Sequence, residues 1–304
     1  MNTEAIKERL KREVKGIKLE EKAPMKRYTS FRAGGEAELM AMPDGVHDLK
    51  RLLVILEEEK CPFFILGNGS NVLVRDGGYR GVIVKIGESF ASIEGREDRL
   101  VCGCGALLSA AAREAAERGL SGLEFASGIP GSVGGAVFMN AGAYDGEMAH
   151  VLEKVRLVSR DGSRDFYVTG KELQMGYRHT LLHETGDIAV EAVMKLKAGD
   201  RETIKLKMAD FTERRNKKQP VAYPSAGSFF KRPEGYFAGK LIQDAGLKGL
   251  SVGGARVSEL HSGFIINTGN ATAGDILRLM EIVQAAVMDR FNVRLEPEVR
   301  IIGE

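Results

Sequence analysis

Apolar residues recur at four-residue spacing in Ile6, Leu10 and Val14, which predicts a narrow amphipathic helix over residues 3–15. A second helix is expected after Asp44, where Leu49, Leu52, Leu53 and Leu56 share one face. Phe63 to Leu66 is a short continuous apolar run, the pattern of a buried strand, and it leads directly into Gly67-Asn68-Gly69-Ser70-Asn71. Further strands are predicted at 82–86, 100–102, 155–158 and 188–196. An alanine-rich helix is expected over about 107–118, stopped by Gly119. Thr272-Ala-Gly-Asp275 is a capping-box variant that opens a long helix with Ile276, Leu279, Val283 and Val287 inward, and the chain closes in a strand at 299–302. Strands and helices mix without a regular βαβα alternation, so the pattern reads as α+β and not as a doubly wound sheet.

Length adds domain number to this picture. At 304 residues the chain exceeds what one hydrophobic core usually serves. The charged stretch 214–220 ends in proline and suggests a boundary near 200, with a softer one near 88, giving expected domains 1–88, 89–199 and 200–304. A net charge of +2 supplies no field for nucleic acid or a membrane surface. Three cysteines argue against a disulfide framework and for a reducing compartment. Cys102-Gly-Cys104 has no second pair or neighbouring histidines and reads as strand-and-turn packing, so no metal is expected. The charged first twenty residues and the lack of a long apolar run point to a cytoplasmic protein. The one compositional excess is 37 glycines, which favours a ligand-handling enzyme over a helical scaffold.

Those glycines concentrate chemistry at 122–144. Gly128, Gly131, Gly134 and Gly135 surround a single hydroxyl, Ser132, with no lysine. Bare backbone N–H groups of this kind suit a pyrophosphate, and they equally suit a tight turn between two buried strands. Gly67-Asn-Gly69-Ser-Asn begins like a dinucleotide fingerprint, but strand-like Val72-Leu-Val74 follows where a Rossmann loop opens a helix. The 128–135 loop lacks the Gly-Lys-Ser/Thr ending of a P-loop. What remains is two lysine-free glycine loops about sixty residues apart, each flanked by strand-like sequence, able to clamp an extended dinucleotide. Asn68, Ser70, Asn71, Ser132 and Asn140 would add side-chain hydrogen bonds.

Seven segments, in order, resemble the bacterial UDP-N-acetylenolpyruvoylglucosamine reductases. They are Tyr28-Thr-Ser-Phe-Arg-Ala-Gly-Gly35, Gly67-Asn-Gly-Ser-Asn71, the run from Gly122 to Ala136, Gly176-Tyr-Arg178, Ala226-Gly-Ser-Phe-Phe-Lys-Arg-Pro233, Gly246-Leu-Lys-Gly249 and Glu296-Pro-Glu-Val-Arg300. The resemblance implies an α+β chain with a two-part FAD-binding region of the vanillyl-alcohol-oxidase type. A C-terminal α+β substrate-binding domain follows, its last strand expected to return to the FAD region. It implies non-covalent FAD, consistent with glycine loops that hold neither histidine nor cysteine, and NADPH as co-substrate. The FAD contacts would come from Gly67, Asn68, Gly69, Ser70 and Asn71, from Gly128, Ile129, Pro130, Gly131, Ser132, Gly134, Gly135 and Ala136, and from Asn140.

The implied reaction reduces the enolpyruvyl ether of UDP-N-acetylglucosamine to the lactyl ether, UDP-N-acetylmuramate, in peptidoglycan precursor synthesis. Hydride passes from NADPH to the flavin N5 and then to the alkene, so charge develops toward the carboxylate and a proton is needed at the other carbon. By the resemblance Ser228 is the proton donor, Glu298 the catalytic glutamate and Arg178 the arginine near the substrate carboxylate. Without it, Ser228 would be a turn residue after glycine and the other two ordinary surface ions. Lys218 and Lys248 match substrate contacts on the diphosphate or uridine side, and His261 a polar contact, with a structural histidine beside the 263–267 strand as the alternative. Tyr144 is expected along the substrate or over the flavin, and Tyr177 at the substrate. One branch of the family carries a lid tyrosine after the second domain; the short 195–204 segment here has none. A monomer or weak oligomer is expected. An oxidase of the same fold and a non-catalytic flavin or sugar-nucleotide subunit are the competing readings.

Overall fold

The computed structural model describes residues 3–304. Two compact units each draw on three chain segments. The first takes the chain up to Glu21, then Leu39–Asn68 and Gly81–Arg214; the second takes Lys22–Glu38, Gly69–Arg80 and Arg215–Glu304.

In the first unit, α1 (Thr3–Glu13) buries Ile6 and Leu10 beside α2 (Val46–Glu58), whose Leu49, Leu52, Leu53 and Leu56 are fully buried. Each such side chain contributes about 1.5–3 kcal/mol through area removed from water. Strands β1 (Lys18–Pro24), β2 (Glu36–Met42), β3 (Phe63–Leu66) and β5 (Tyr79–Lys85) form a sheet of order β1-β2-β5-β3, with β3 parallel to β5. A second sheet comprises β6 (Ile93–Arg96), β7 (Arg99–Gly103), β11 (Leu152–Val158), β12 (Asp165–Thr169) and β13 (Ile188–Lys195). Its order is β12-β11-β13-β7-β6, antiparallel throughout. Helix α3 (Leu108–Glu117) packs its alanines into the same core and ends ahead of Gly119, at φ +66°. Around these lie the short pair β8 (Leu120–Ser121) with β14 (Lys197–Ala198), the hairpin β9 (Gly142–Ala143) with β10 (Gly146–Glu147), and the single turn α5 (Leu182–Thr185).

Two features of this unit depart from the hydrophobic pattern. The 128–135 loop is not followed by a strand: Ser132 caps α4 (Val133–Phe138), its hydroxyl accepting the Gly135 N–H. The charged segment 214–220 begins within an eighteen-residue helix, α6 (Arg201–Lys218), and leaves it at Gln219-Pro220; the first unit ends at Arg214. That helix buries only Ile204, so it has no apolar stripe for a pattern search to find.

The second unit centres on α8 (Ala273–Phe291), with Ile276, Leu279, Val283 and Val287 fully buried. Both halves of the Thr272/Asp275 capping box form, and the Asp76 carboxylate accepts the Ala273 and Gly274 N–H groups at 2.9 and 2.7 Å. Helix α7 (Ala238–Asp244) and the sheet of β15 (Ser251–Val252), β16 (Ala255–Val257) and β17 (Ile265–Asn267) share that core. The last strand, β18 (Arg300–Ile302), pairs in parallel with β4 (Val72–Val74). Glu298 stands ahead of this strand, not within it. No helix among the described residues is long and apolar enough to cross a membrane.

Candidate functional site

In the first unit the two glycine-rich loops meet. A Cβ on Gly67 would run into the Ser132 Oγ, so glycine is needed there for close approach. Asn68 donates its Nδ2 to the Pro130 carbonyl at 2.5 Å and ties the loops together. Gly134 packs so tightly that a Cβ would lie 2.9 Å from the Cys104 Cβ. Burial pushes the Cys102 thiol up to about 12 and raises the Cys104 thiol well above its ordinary value, so both stay neutral core groups.

Backbone accounting divides the residues expected to bind FAD. The N–H groups of Ile129, Val133, Gly134, Gly135 and Ala136 all bond within the protein. Those of Asn68, Gly128 and Gly131 meet no acceptor among the described residues. Gly131 is itself buried, where an unmet N–H is costly. Asn68, Pro130 and Gly135 are exposed; Ser132, at 2% exposure, and Ala136 are buried supports. This donor set, with no carboxylate in either loop, fits an anionic dinucleotide.

The loops themselves carry no lysine, yet one reaches them. Lys85, closing β5, donates its Nζ to the Gly67 carbonyl at 2.5 Å, and burial lowers its ammonium pKa. The sequence signal was a lysine ending an apolar strand run, eighteen residues beyond the glycine it contacts.

Asn140 is 1% exposed and both ends of its amide are engaged: Nδ2 donates to the Gly176 carbonyl at 3.0 Å, and Oδ1 accepts the Ala149 N–H at 2.9 Å. Gly176 and His179 close a tight turn by reciprocal backbone bonds of 2.9 and 3.2 Å. That turn presents Tyr177, 56% exposed, and Arg178, whose guanidinium lies 5.1 Å from the Tyr177 ring centroid. Tyr144 stacks on Phe211 of α6 with centroids 4.4 Å apart and donates its hydroxyl to the Phe211 carbonyl. Phe211 belongs to the helix the pattern did not reveal, so this partner was invisible in the sequence.

In the second unit, Gly69 adopts φ +65° and a Cβ there would strike the Tyr28 carbonyl. Ser70 follows, and Asn71 donates its Nδ2 to the Glu298 carbonyl at 3.0 Å, while its own carbonyl accepts the Arg300 N–H. Glu298 in turn donates its N–H to the Phe229 carbonyl at 2.8 Å, and Phe230 bridges Pro297. Ser228, exposed after Gly227 at φ +77°, is therefore one residue from the backbone partner of Glu298. Glu296, the residue most easily confused with Glu298, pairs with Lys231 at 3.5 Å. His261 accepts the Gly263 N–H at Nδ1, a geometry that suits the tautomer protonated on Nε2, and burial lowers its pKa. Beside it the buried Ser262 hydroxyl has no partner among the described residues. Lys218 ends α6 and Lys248 follows α7; both are exposed. Arg178 lies in the first unit, Ser228 and Glu298 in the second.

Comparison with known proteins adds the following. Residues 37–164 match a family described as FAD binding domain, and residues 219–302 one described as UDP-N-acetylenolpyruvoylglucosamine reductase, C-terminal domain. The UDP-N-acetylenolpyruvoylglucosamine reductase of Clostridium botulinum strain Hall is 51% identical over 281 residues, 92% of this chain and 91% of that protein. That of Caldanaerobacter subterraneus subsp. tengcongensis is 49% identical over 301 residues, 99% of each. The crystal structure of the reductase from Thermus caldophilus is 36% identical, covers 94% of this chain and 98% of its own, and aligns with a TM-score of 0.80.

Proposed function

The chain belongs to the UDP-N-acetylenolpyruvoylglucosamine reductase family, FAD-dependent oxidoreductases of peptidoglycan synthesis, and on that premise we propose the chemistry and the residues that perform it. The substrate is UDP-N-acetylglucosamine enolpyruvate, the product UDP-N-acetylmuramate, the reductant NADPH and the setting the cytoplasm. The flavin, when bound, supplies two-electron hydride chemistry. Gly67, Asn68, Gly128 and Gly131 hold its dinucleotide through unmet N–H donors and close backbone approach, and Ser132 and Ala136 support that loop.

The remaining work falls to side chains. Hydride gained at one alkene carbon leaves an electron pair at the other, delocalised into the carboxylate. Arg178 binds that carboxylate with the fork geometry that suits it. Ser228 delivers the proton that completes the saturated lactyl ether. A serine hydroxyl is a weak acid, so its placement matters more than its pKa. Glu298 is the catalytic glutamate; Lys218, Lys248, His261, Tyr144 and Tyr177 contact the rest of the substrate.

The observation that carries this reading is the backbone linkage in the second unit. Asn71 holds the Glu298 carbonyl, and Glu298 holds the Phe229 carbonyl beside Ser228, so one hydrogen-bonded chain joins the end of a glycine loop to both proton-handling residues. The test is anaerobic spectroscopy. The purified protein should show a flavin spectrum, bleach with NADPH and recover colour on adding the enolpyruvyl substrate. A protein that cannot be loaded with FAD rejects the flavoenzyme reading, and one bleached but not recoloured by this substrate rejects the specific reaction.

A further inference from the structure

We infer that Asn140 is a positioning residue for Arg178, and that its amide does not contact the cofactor. The inference rests on the reading above for the role of Arg178 and on geometry within the first unit for everything else.

Arg178 sits at φ +55°, a left-handed conformation that a side-chain-bearing residue adopts only when its surroundings hold it there. The turn's own two backbone bonds fix its curvature but not its place on the protein. Two further bonds do that. Asn140 donates to the Gly176 carbonyl at 3.0 Å on one side of the turn. On the other side the fully buried Thr180 donates its hydroxyl to the Phe138 carbonyl, also at 3.0 Å. Both contacts lead to the C-terminal end of α4, where the Asn140 N–H itself bonds the Val137 carbonyl. The ring of His183, three residues beyond Thr180, lies tilted by 30° against Phe138 with centroids 3.9 Å apart.

Helix α4 starts from Ser132, the capping residue of the glycine loop, and runs six residues, roughly 9 Å at 1.5 Å per residue. It is thus a short strut with the dinucleotide loop at one end and the arginine turn at the other. Asn140 fits its post in conformation as well: at φ +42° it occupies a region that asparagine tolerates better than most side chains. Its 1% exposure leaves almost no surface for a ligand to touch, and its carbonyl oxygen is taken by the Ala149 N–H. What the amide donor can do is hold the arginine-bearing turn at a fixed distance from the loop.

The experiment compares Asn140→Asp and Asn140→Ala with the wild-type enzyme loaded with FAD. Asn140→Asp keeps the acceptor for Ala149 and the backbone preference but replaces the donor to Gly176 with a buried carboxylate oxygen that repels that carbonyl, whereas Asn140→Ala removes both contacts without adding charge. Four quantities are read: FAD dissociation constant, rate of flavin reduction by NADPH, and kcat and KM for the enolpyruvyl substrate. The expected result is FAD affinity and flavin reduction within about 3-fold of wild type, with substrate reduction down about 10- to 100-fold. Combining either variant with Arg178→Ala should add less than about 2-fold to the loss from Arg178→Ala alone. Thr180→Val, nearly isosteric, should give a smaller defect in the same step. A fall in FAD affinity matching the loss of turnover makes Asn140 a cofactor ligand and overturns the inference. Parallel loss in both half-reactions, or full additivity with Arg178→Ala, reduces it to general scaffolding and overturns it too. A wild-type protein that fails to reduce the enolpyruvyl substrate rejects the functional reading itself, a result separate from either.

Discussion

Replacing Gly67 with alanine tests whether contact between the two glycine loops sets cofactor affinity. The added methyl would sit inside contact distance of the Ser132 Oγ but only 3.6 Å from its Cβ, an ordinary separation. The clash therefore has one soft solution: the hydroxyl rotates away and gives up the 3.3 Å bond that caps α4. Losing a serine cap costs about 0.5–2 kcal/mol. If the loop shifts instead, overpacking costs a comparable ~1–3 kcal/mol. Either way Asn68 and Gly131 leave their places, and FAD should bind about 2- to 100-fold more weakly, at 1.4 kcal/mol per factor of ten. On a Ser132→Ala background the obstructing atom is gone, so Gly67→Ala should cost less than about 2-fold. Titration of apoprotein with FAD, followed by flavin fluorescence, measures all four corners of the cycle. Unchanged affinity in Gly67→Ala, or equal penalties on the two backgrounds, would refute the argument.

Other expectations follow from groups outside the loops. Native protein treated with iodoacetamide at pH 8 should show Cys102 and Cys104 unmodified by mass spectrometry, because burial keeps both thiols protonated; rapid labelling of either contradicts this. Asp76→Ala removes the acceptor of two N–H groups at the start of α8 and should destabilise the protein by about 1–3 kcal/mol in urea titration, against an unchanged midpoint if those donors find water. Burial raises the Glu124 carboxyl pKa, but the Ser121 hydroxyl and the Gly122 N–H outweigh it, leaving the folded value below the usual range. Its contribution is therefore present above the unfolded pKa and lost as pH falls through the folded one. Glu124→Gln should flatten the acid limb of the stability profile; an identical acid slope would remove Glu124 from that account.

The parts of the fold that were readable were those with a one-sided apolar pattern. The leucines of α2 and the face of α8 are buried as their spacing implies, whereas the run in β3 buries Phe63 and Leu66 and leaves Phe64 and Ile65 half-buried. Helix α6 escaped because charge surrounds a single buried isoleucine. The helix after Ser132 escaped because it is short and opens with glycines, which weigh against helix locally; burial of Val133, Ala136 and Val137 outweighs that propensity. Glycine positions betrayed close approach at Gly67 and Gly134, but not which N–H groups would stay unmet, since that depends on partners such as Ala106 and Cys104. Asn140 shows the same limit. An asparagine near a glycine loop reads as a ligand, and only its neighbours Gly176 and Ala149, nine residues away or more, show what its amide holds. Lys85 was likewise hidden by distance along the chain from Gly67.

The central claim is that the glycine loops hold the cofactor while Ser228 finishes the chemistry. Stopped-flow timing of the two half-reactions in Ser228→Ala tests it most directly. Flavin bleaching by NADPH should proceed within about 3-fold of wild type, while reoxidation by the enolpyruvyl substrate slows by a factor on the order of 10²–10⁴. Equal slowing of both half-reactions, or full-speed reoxidation, would contradict it.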